Sequence, residues 1–244
     1  MVTKDIRIEE IDVVILCGGL GTRLRGTVDD LPKSMADMNG RPFLDILVDY
    51  VAGYGPTRFV LCTGFKGEAI KKHYEGRKGR LKFILSEERE PLGTAGAIKH
   101  AEPLIASDPF LLLNGDSFCK MNLSAFLKFH VTKKAPASLA LTLMKNPADY
   151  GVVTLDGSQR VVCFNEKASV SGTGWVNAGI YLFAKKKLEE IPSGKKQSLE
   201  VDLLPSILDQ GVYGFVTRRK LLDIGTPDRL ERARRYFTSR LHKR

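Results

Sequence analysis

The run Gly18-Gly19-Leu20-Gly21-Thr22-Arg23-Leu24, followed by Pro32-Lys33, concentrates what a polyphosphate needs. Glycines let the backbone come close and aim its N–H groups at phosphate oxygens, while Arg23 and Lys33 add fixed positive charge. Two rival glycine-rich motifs do not fit. There is no Gly-Lys-Ser/Thr ending of a Walker loop, and Leu24 stands where a dinucleotide-binding turn has its third glycine. Taken alone, the run is also compatible with an ordinary tight turn. Further along, Asp116 follows an apolar run and an Asn-Gly pair, and Asp223 ends another apolar run before Gly-Thr-Pro. Both fall where α/β proteins place ligands, at the carboxyl ends of strands. Two hard oxygen donors completed by phosphate oxygens suit Mg²⁺; a turn or helix-cap role is the plain alternative for each. A third feature is the acidic stretch Glu87-Glu88-Arg89-Glu90. One carboxylate there, Glu88 or Glu90, can accept the adjacent N1–H and amino donors of guanine, whereas uracil and thymine suit a glutamine better. Plain loop charge explains these glutamates equally well.

The elements that must position these groups alternate. Residues 12–17 read as a buried strand ending at the glycine run, 43–54 as a helix, 58–63 as a strand, 66–74 as a helix and 81–85 as a third strand. After a loop over 87–92, residues 93–101 predict a helix, 109–113 a strand and 123–131 a helix. The pattern is that of a parallel sheet with helices on its faces. From residue 138 strands follow one another, at 138–144, 151–154, 161–165 and 175–183, which predicts an antiparallel extension. Residues 197–210 then read as a helix, 212–216 and 221–224 as short strands, and Pro227 opens a terminal helix at a favoured first-turn position.

Composition narrows the function classes. With 244 residues, 43% of them hydrophobic, the chain can bury a sizeable core. No apolar run reaches the ~20 residues a membrane helix needs, and the charged start of the chain lacks the apolar stretch of a secretory leader; a cytoplasmic protein is expected. Cys17, Cys62, Cys119 and Cys163 form no C-x-x-C pair, and the four histidines show no metal-ligand spacing, so no transition metal is implied. The net charge of +10 favours an anionic partner without choosing among nucleic acid, membrane and phosphorylated small molecule. Much of the excess lies at Arg229, Arg232, Arg234, Arg235, Arg240, Lys243 and Arg244, which a solvated helix face accounts for. No interleaved aromatic platform for single strands accompanies it.

Gly18 to Leu24 with Pro32-Lys33 resembles the signature of the sugar-1-phosphate nucleotidyltransferase family, and the resemblance continues in order along residues 13–226. Glu90-Pro91-Leu92-Gly93-Thr94-Ala95-Gly96 is similar to the family's base-reading segment, Asn114-Gly115-Asp116 to its metal-binding strand end, and Tyr150-Gly151-Val152-Val153 to a sugar-contacting turn. Glu166-Lys167, Val176-Asn177-Ala178-Gly179-Ile180-Tyr181 and Asp223-Ile224-Gly225-Thr226 also have counterparts. Within the family the chain resembles most the D-glycero-α-D-manno-heptose 1-phosphate guanylyltransferases.

The resemblance implies an α/β, Rossmann-like doubly wound and mostly parallel sheet with an antiparallel acceptor-side extension. It implies one nucleotidyltransferase domain, with a nucleotide-binding half over about 12–135, a sugar-phosphate half over about 136–226 and a C-terminal helix over about 227–241. Leu16, Gly18, Gly19, Gly21, Thr22, Arg23, Lys33, Glu88, Glu90, Gly93 and Thr94 would bind the nucleotide. Asn114, Gly151, Glu166, Lys167, Asn177 and Gly179 would bind the sugar phosphate, Lys167 gripping the phosphate and Glu166 the sugar hydroxyls. Asp116 and Asp223 would hold Mg²⁺, so that Arg23, Lys33, Asp116, Lys167 and Asp223 form the catalytic set. The sequence departs from the family at Ser34-Met35 and at Ala168, where proline is common, which touches loop shape and no charged group. It shows none of the hexapeptide repeats of some relatives, so a fused acyltransferase is not expected.

These expectations describe transfer of a nucleoside monophosphate, GMP from GTP, to a sugar 1-phosphate. The sugar phosphate is already an anionic nucleophile, so positioning and charge neutralisation should supply most of the rate. Mannose 1-phosphate guanylyl transfer, and uridylyl or thymidylyl transfer to another hexose 1-phosphate, are the alternatives. A non-catalytic nucleotide-sugar sensor is an alternative of another class. Neither nucleic acid nor membrane is an expected partner; a homodimer is compatible with the resemblance, since dimers are common in such families, but no segment reads as an interface.

Overall fold

The computed structural model describes residues 6–19, 31–147, 150–165 and 172–241. Its centre is a sheet with strand order β10-β6-β9-β4-β1-β2-β3, built from β1 (Val13–Leu16), β2 (Arg58–Thr63), β3 (Lys82–Glu87), β4 (Phe110–Asn114), β6 (Ala137–Lys145), β9 (Thr173–Phe183) and β10 (Tyr213–Thr217). β1, β2, β3 and β4 run parallel. β9 is antiparallel to both β4 and β6, and it also carries β7 (Val152–Leu155), on which β8 (Val161–Asn165) pairs. The parallel half and its antiparallel extension therefore agree with the expected fold class.

Strand alternation feeds two cores. Val13 and Ile15 face α1 (Phe43–Ala52), α2 (Gly67–Tyr74), α4 (Leu123–Lys133) and α6 (Pro227–Leu241), through buried residues such as Phe43, Ile70, Phe126 and Leu230. Val14, between them, faces the opposite side and packs with Ile98 of α3 (Gly93–Ala101) and with Leu199 and Ile207. Successive residues of a strand point to opposite faces, so a strand buried on both sides must be apolar, as β1 is throughout and β4 is up to its last residue, Asn114.

Two local features differ from the sequence reading. The helix predicted over 197–210 is broken into a wide turn at Leu199–Leu203, a single α turn, α5 (Leu204–Ser206), and a tight turn at Leu208–Gln210. Pro205 has no N–H to donate and its ring collides with the carbonyl four residues back, so a regular helix cannot pass it. In the wide turn the N–H of Leu203 reaches back to the carbonyl of Ser198 at 3.1 Å. The second is a short strand, β5 (Ser117–Cys119), which pairs antiparallel with β11 (Leu221–Asp223) outside the main sheet.

The β6–β9 ladder jumps register where Leu139 pairs Tyr181 and Leu141 pairs Asn177. β9 takes up the extra residues around Gly179, whose φ of +70° is a left-handed conformation. A Cβ there would lie 3.1 Å from Cβ of Asn114.

Candidate active site

At the carboxyl ends of β1, β2 and β4 lies a cavity of about 300 Å³. Its wall includes Leu16, Gly18, Gly19, Lys33, Glu88, Gly93, Thr94, Asn114 and Asp116, all expected site residues, together with Ser34, Cys62, Pro91 and Lys196. The register explains the convergence. Leu16 pairs directly with Asn114 and with Cys62, so the ends of three strands open onto one place. Gly21, Thr22, Arg23, Glu166 and Lys167 lie outside the described residues.

The small β5–β11 ladder joins the two expected metal ligands. Ser117 stands opposite Asp223, and the N–H of Ile224 donates to the carbonyl of Asp116 at 3.0 Å. The carboxylate of Asp116 takes Lys33 Nζ at 2.5 Å on Oδ2 and the Ser117 hydroxyl at 3.1 Å on Oδ1. Asp223 accepts the Gly225 N–H at 3.0 Å and Arg229 Nη1 at 3.2 Å on Oδ1, and the Tyr150 hydroxyl on Oδ2. Burial, then the hydrogen bond to Asp223, raises the Tyr150 pKa above the ordinary phenol value, so Tyr150 stays a donor. Arg229 is a correction to the sequence reading. It does not lie on a solvated helix face: its side chain is only 14% exposed and points into the site.

Two adjacent carboxylates of this kind fit Mg²⁺, a hard cation that takes one or two protein carboxylates and fills its remaining positions with substrate oxygens and water. Among the described residues no group of three or more His, Cys, Asp or Glu could hold a metal.

Glu88 and Glu90 separate. Glu88 is half-buried on the cavity wall, with Oε2 accepting the Leu92 N–H at 2.8 Å, whereas Glu90 is exposed and off the wall. Burial raises the Glu88 pKa, and the Leu92 hydrogen bond and nearby His100 oppose the shift. Gly93 packs against the backbone of Gln197, whose carbonyl accepts the N–H of Ala95 at 3.0 Å.

On the sugar side, the N–H of Asn177 donates to the carbonyl of Gly151 at 3.1 Å and the N–H of Gly179 to Asn177 Oδ1 at 3.1 Å. A chain of side chains then crosses to the nucleotide side. Asn177 Nδ2 donates to Tyr181 at 2.6 Å, Tyr181 to Glu200 Oε1 at 3.0 Å, and Thr94 to Glu200 Oε2 at 3.2 Å. The sequence assigns no site role to Tyr181, which ends one of the resembling motifs, or to Glu200. Tyr181 reads as one more apolar residue of a buried strand and Glu200 as helix-surface charge, so only their positions reveal them. The amide oxygen of Asn114 is buried with no hydrogen-bond partner among the described residues. A buried acceptor left unpaired costs about 1–3 kcal/mol, and a ligand donor would recover that.

A family model for nucleotidyl transferases matches residues 12–240. The chain belongs to this family. The D-glycero-α-D-manno-heptose 1-phosphate guanylyltransferase of Aneurinibacillus thermoaerophilus is 36% identical over 226 residues, covering 92% of this chain and 97% of its own length. A mannose-1-phosphate guanylyltransferase of Mycobacterium tuberculosis is 33% identical over 90% of this chain, which spans 62% of that longer protein. The crystal structure of HddC from Yersinia pseudotuberculosis complexed with GMP-PN superposes with a TM-score of 0.83 at 34% identity, covering 93% of this chain and 99% of that one. The family and fold that the ordered motifs resemble are those found, and the protein is a nucleotidyltransferase. Among the described residues, no helix is long and apolar enough to cross a membrane.

Proposed function

We propose that this protein transfers GMP from GTP to D-glycero-α-D-manno-heptose 1-phosphate, giving GDP-heptose and pyrophosphate, as a Mg²⁺-dependent cytoplasmic enzyme. The observation that carries the chemistry is the joining of Asp223, across the β5–β11 ladder, to Asp116, which lines the cavity together with Glu88 and Lys33. The choice of sugar and base rests on the heptose relative, which aligns along nearly the whole of both chains.

The cavity takes the nucleotide, with Glu88 meeting the guanine edge and Gly18 and Gly19 meeting the phosphates. Lys33 neutralises phosphate charge. Asn114, Asn177 and the backbone at Gly151 and Gly179 orient the sugar phosphate, with Lys167 as the cation on its phosphate and Glu166 on its hydroxyls. A sugar-phosphate oxygen attacks the α-phosphorus, the bond from that phosphorus to the β-phosphate oxygen breaks, and pyrophosphate leaves with the electron pair. No general base is required because the nucleophile is already an anion. Asp116 and Asp223 would hold Mg²⁺, which when bound supplies neutralisation of phosphoryl charge. Arg23 adds positive charge toward the leaving pyrophosphate.

Mannose 1-phosphate is the second acceptor to consider, because the mycobacterial relative is a mannose-1-phosphate guanylyltransferase. Pyrophosphate release, measured for four nucleoside triphosphates against a panel of sugar 1-phosphates including manno-heptose and mannose, tests the reading. Highest kcat/KM with GTP and the heptose phosphate is expected. Preference for UTP or dTTP would overturn the guanine assignment, preference for mannose 1-phosphate the sugar assignment, and no release from any pair would favour a sensor.

A further inference from the structure

The two carboxylates already carry counter-ions. Lys33 Nζ lies 2.5 Å from Asp116 Oδ2, and Arg229 Nη1 lies 3.2 Å from Asp223 Oδ1. The four groups form one cluster rather than two pairs, because three of them close around Gly225 and Lys33 ties Asp116 to these. The point where a Cβ on Gly225 would stand is 2.9 Å from Asp223 Oδ1, 3.6 Å from Lys33 Nζ and 3.9 Å from Arg229 Nη1. Lys33, Arg229 and Asp223 are each less than 15% exposed along their side chains, and Asp116 is 38% exposed. Two carboxylates thus face two cations in part-buried surroundings.

A bare divalent cation entering such a cluster gains two carboxylates but meets two fixed positive charges at close range, in surroundings that screen poorly. A nucleoside triphosphate reverses the balance. Its phosphoryl oxygens are strong acceptors for both cations, and a guanidinium matches two phosphate oxygens at once. Arg229 is held for that exchange by more than Asp223. Its guanidinium lies 4.6 Å from the ring centroid of Tyr150, whose hydroxyl donates to the same carboxylate. Released from Asp223, the guanidinium keeps its ring contact.

We propose that Lys33 and Arg229 are exchangeable counter-ions of the metal pair. They keep free Mg²⁺ from Asp116 and Asp223 until a nucleoside triphosphate offers phosphates to which both cations transfer, and Arg229 is thereby a phosphate-binding residue of the reaction. This rests on the assignment of Asp116 and Asp223 as metal ligands.

Mn²⁺ binding, followed by the loss of the free-ion electron paramagnetic resonance signal, tests it with and without a non-hydrolysable GTP analogue. Wild-type protein alone should bind Mn²⁺ weakly and, once the Mn²⁺ taken up by the analogue in a protein-free control is subtracted, gain about tenfold or more with the analogue, within the usual range of coupling between two ligands. R229Q should bind Mn²⁺ about tenfold more tightly than wild type without nucleotide, and its gain from the analogue should shrink accordingly. R229K, which keeps the charge, should stay close to wild type, so that a general loosening of the fold in R229Q is told apart from loss of a cation. Unchanged or weaker Mn²⁺ binding by nucleotide-free R229Q, or an R229K that behaves like R229Q, overturns the proposal. D223N separates the two levels of inference. If it binds Mn²⁺ like wild type, the carboxylate pair is not the metal site; if it loses Mn²⁺ while R229Q is unchanged, only the counter-ion exchange fails.

Discussion

Asp116 and Asp223, 107 positions apart in the sequence, are neighbours across the β5–β11 ladder, where the N–H of Ile224 donates to the Asp116 carbonyl at 3.0 Å. The bond joins the backbones that carry the two carboxylates, so a conservative change of either side chain leaves that frame in place. D116N and D223N should each fold normally by circular dichroism yet lower kcat by about 10²–10³, the scale of losing one preorganised electrostatic contact to developing charge. Near-normal turnover in either variant would remove that residue from the catalytic set.

Glu88 lies on the cavity wall and Glu90 outside it. E88Q should therefore reduce kcat/KM for GTP by the equivalent of about 1–3 kcal/mol, the worth of a hydrogen bond to a charged group, and narrow the preference for GTP over UTP. E90Q should leave both unchanged. Steady-state kinetics with the two nucleotides decides, and the opposite pattern would make Glu90 the base reader.

Tyr181 is fully buried and links Asn177 Nδ2, at 2.6 Å, to Glu200 Oε1, at 3.0 Å. Y181F removes the hydroxyl but little volume, and strands one donor and one acceptor. Stability should fall by about 1–3 kcal/mol, read from urea denaturation. Because the same chain holds Asn177 beside Gly179 and reaches Thr94, KM for the sugar phosphate should rise as well. A variant as stable as wild type would mean that water replaces the hydroxyl.

His130 is buried beside Ser138, with Nδ1 and the Ser138 hydroxyl 2.9 Å apart, and burial lowers its pKa from 6.5 to about 4, partly opposed by Asp108. Above pH 6.5 the ring is neutral in both folded and unfolded chains and adds no pH dependence. Between pH 6.5 and 4 the unfolded chain takes up a proton that the folded one refuses, so stability falls as the pH falls. The full effect is on the order of 3 kcal/mol. H130Q should flatten this part of a plot of unfolding free energy against pH, and an undiminished slope would assign it to other groups.

The cavity itself was legible because each of its pieces is a local device. A strand ending in glycines, an Asn-Gly-Asp strand end and a glycine that opens a helix each need only neighbouring residues to be recognised, and they occur in order. β5 was not legible, since three residues after a turn are too few to display a period of two. The break in the helix predicted over 197–210 was signalled by Pro205, but the pattern of apolar residues around it continued with helical spacing and masked the signal.

The sequence by itself determined the family, the order of strands and helices, and which residue types could meet phosphates, because apolar periodicity and glycine placement act over a few residues. Tertiary structure alone decided which charges meet. It turned Arg229 from an apparent surface residue into a partner of Asp223, chose Glu88 over Glu90 as the cavity glutamate, and brought Glu200 to Tyr181 and Thr94. Such contacts join residues far apart in the chain, and an isolated charged side chain reads the same whether it will face water or a buried partner. What separates the two outcomes is desolvation, which depends on every element packed around the group.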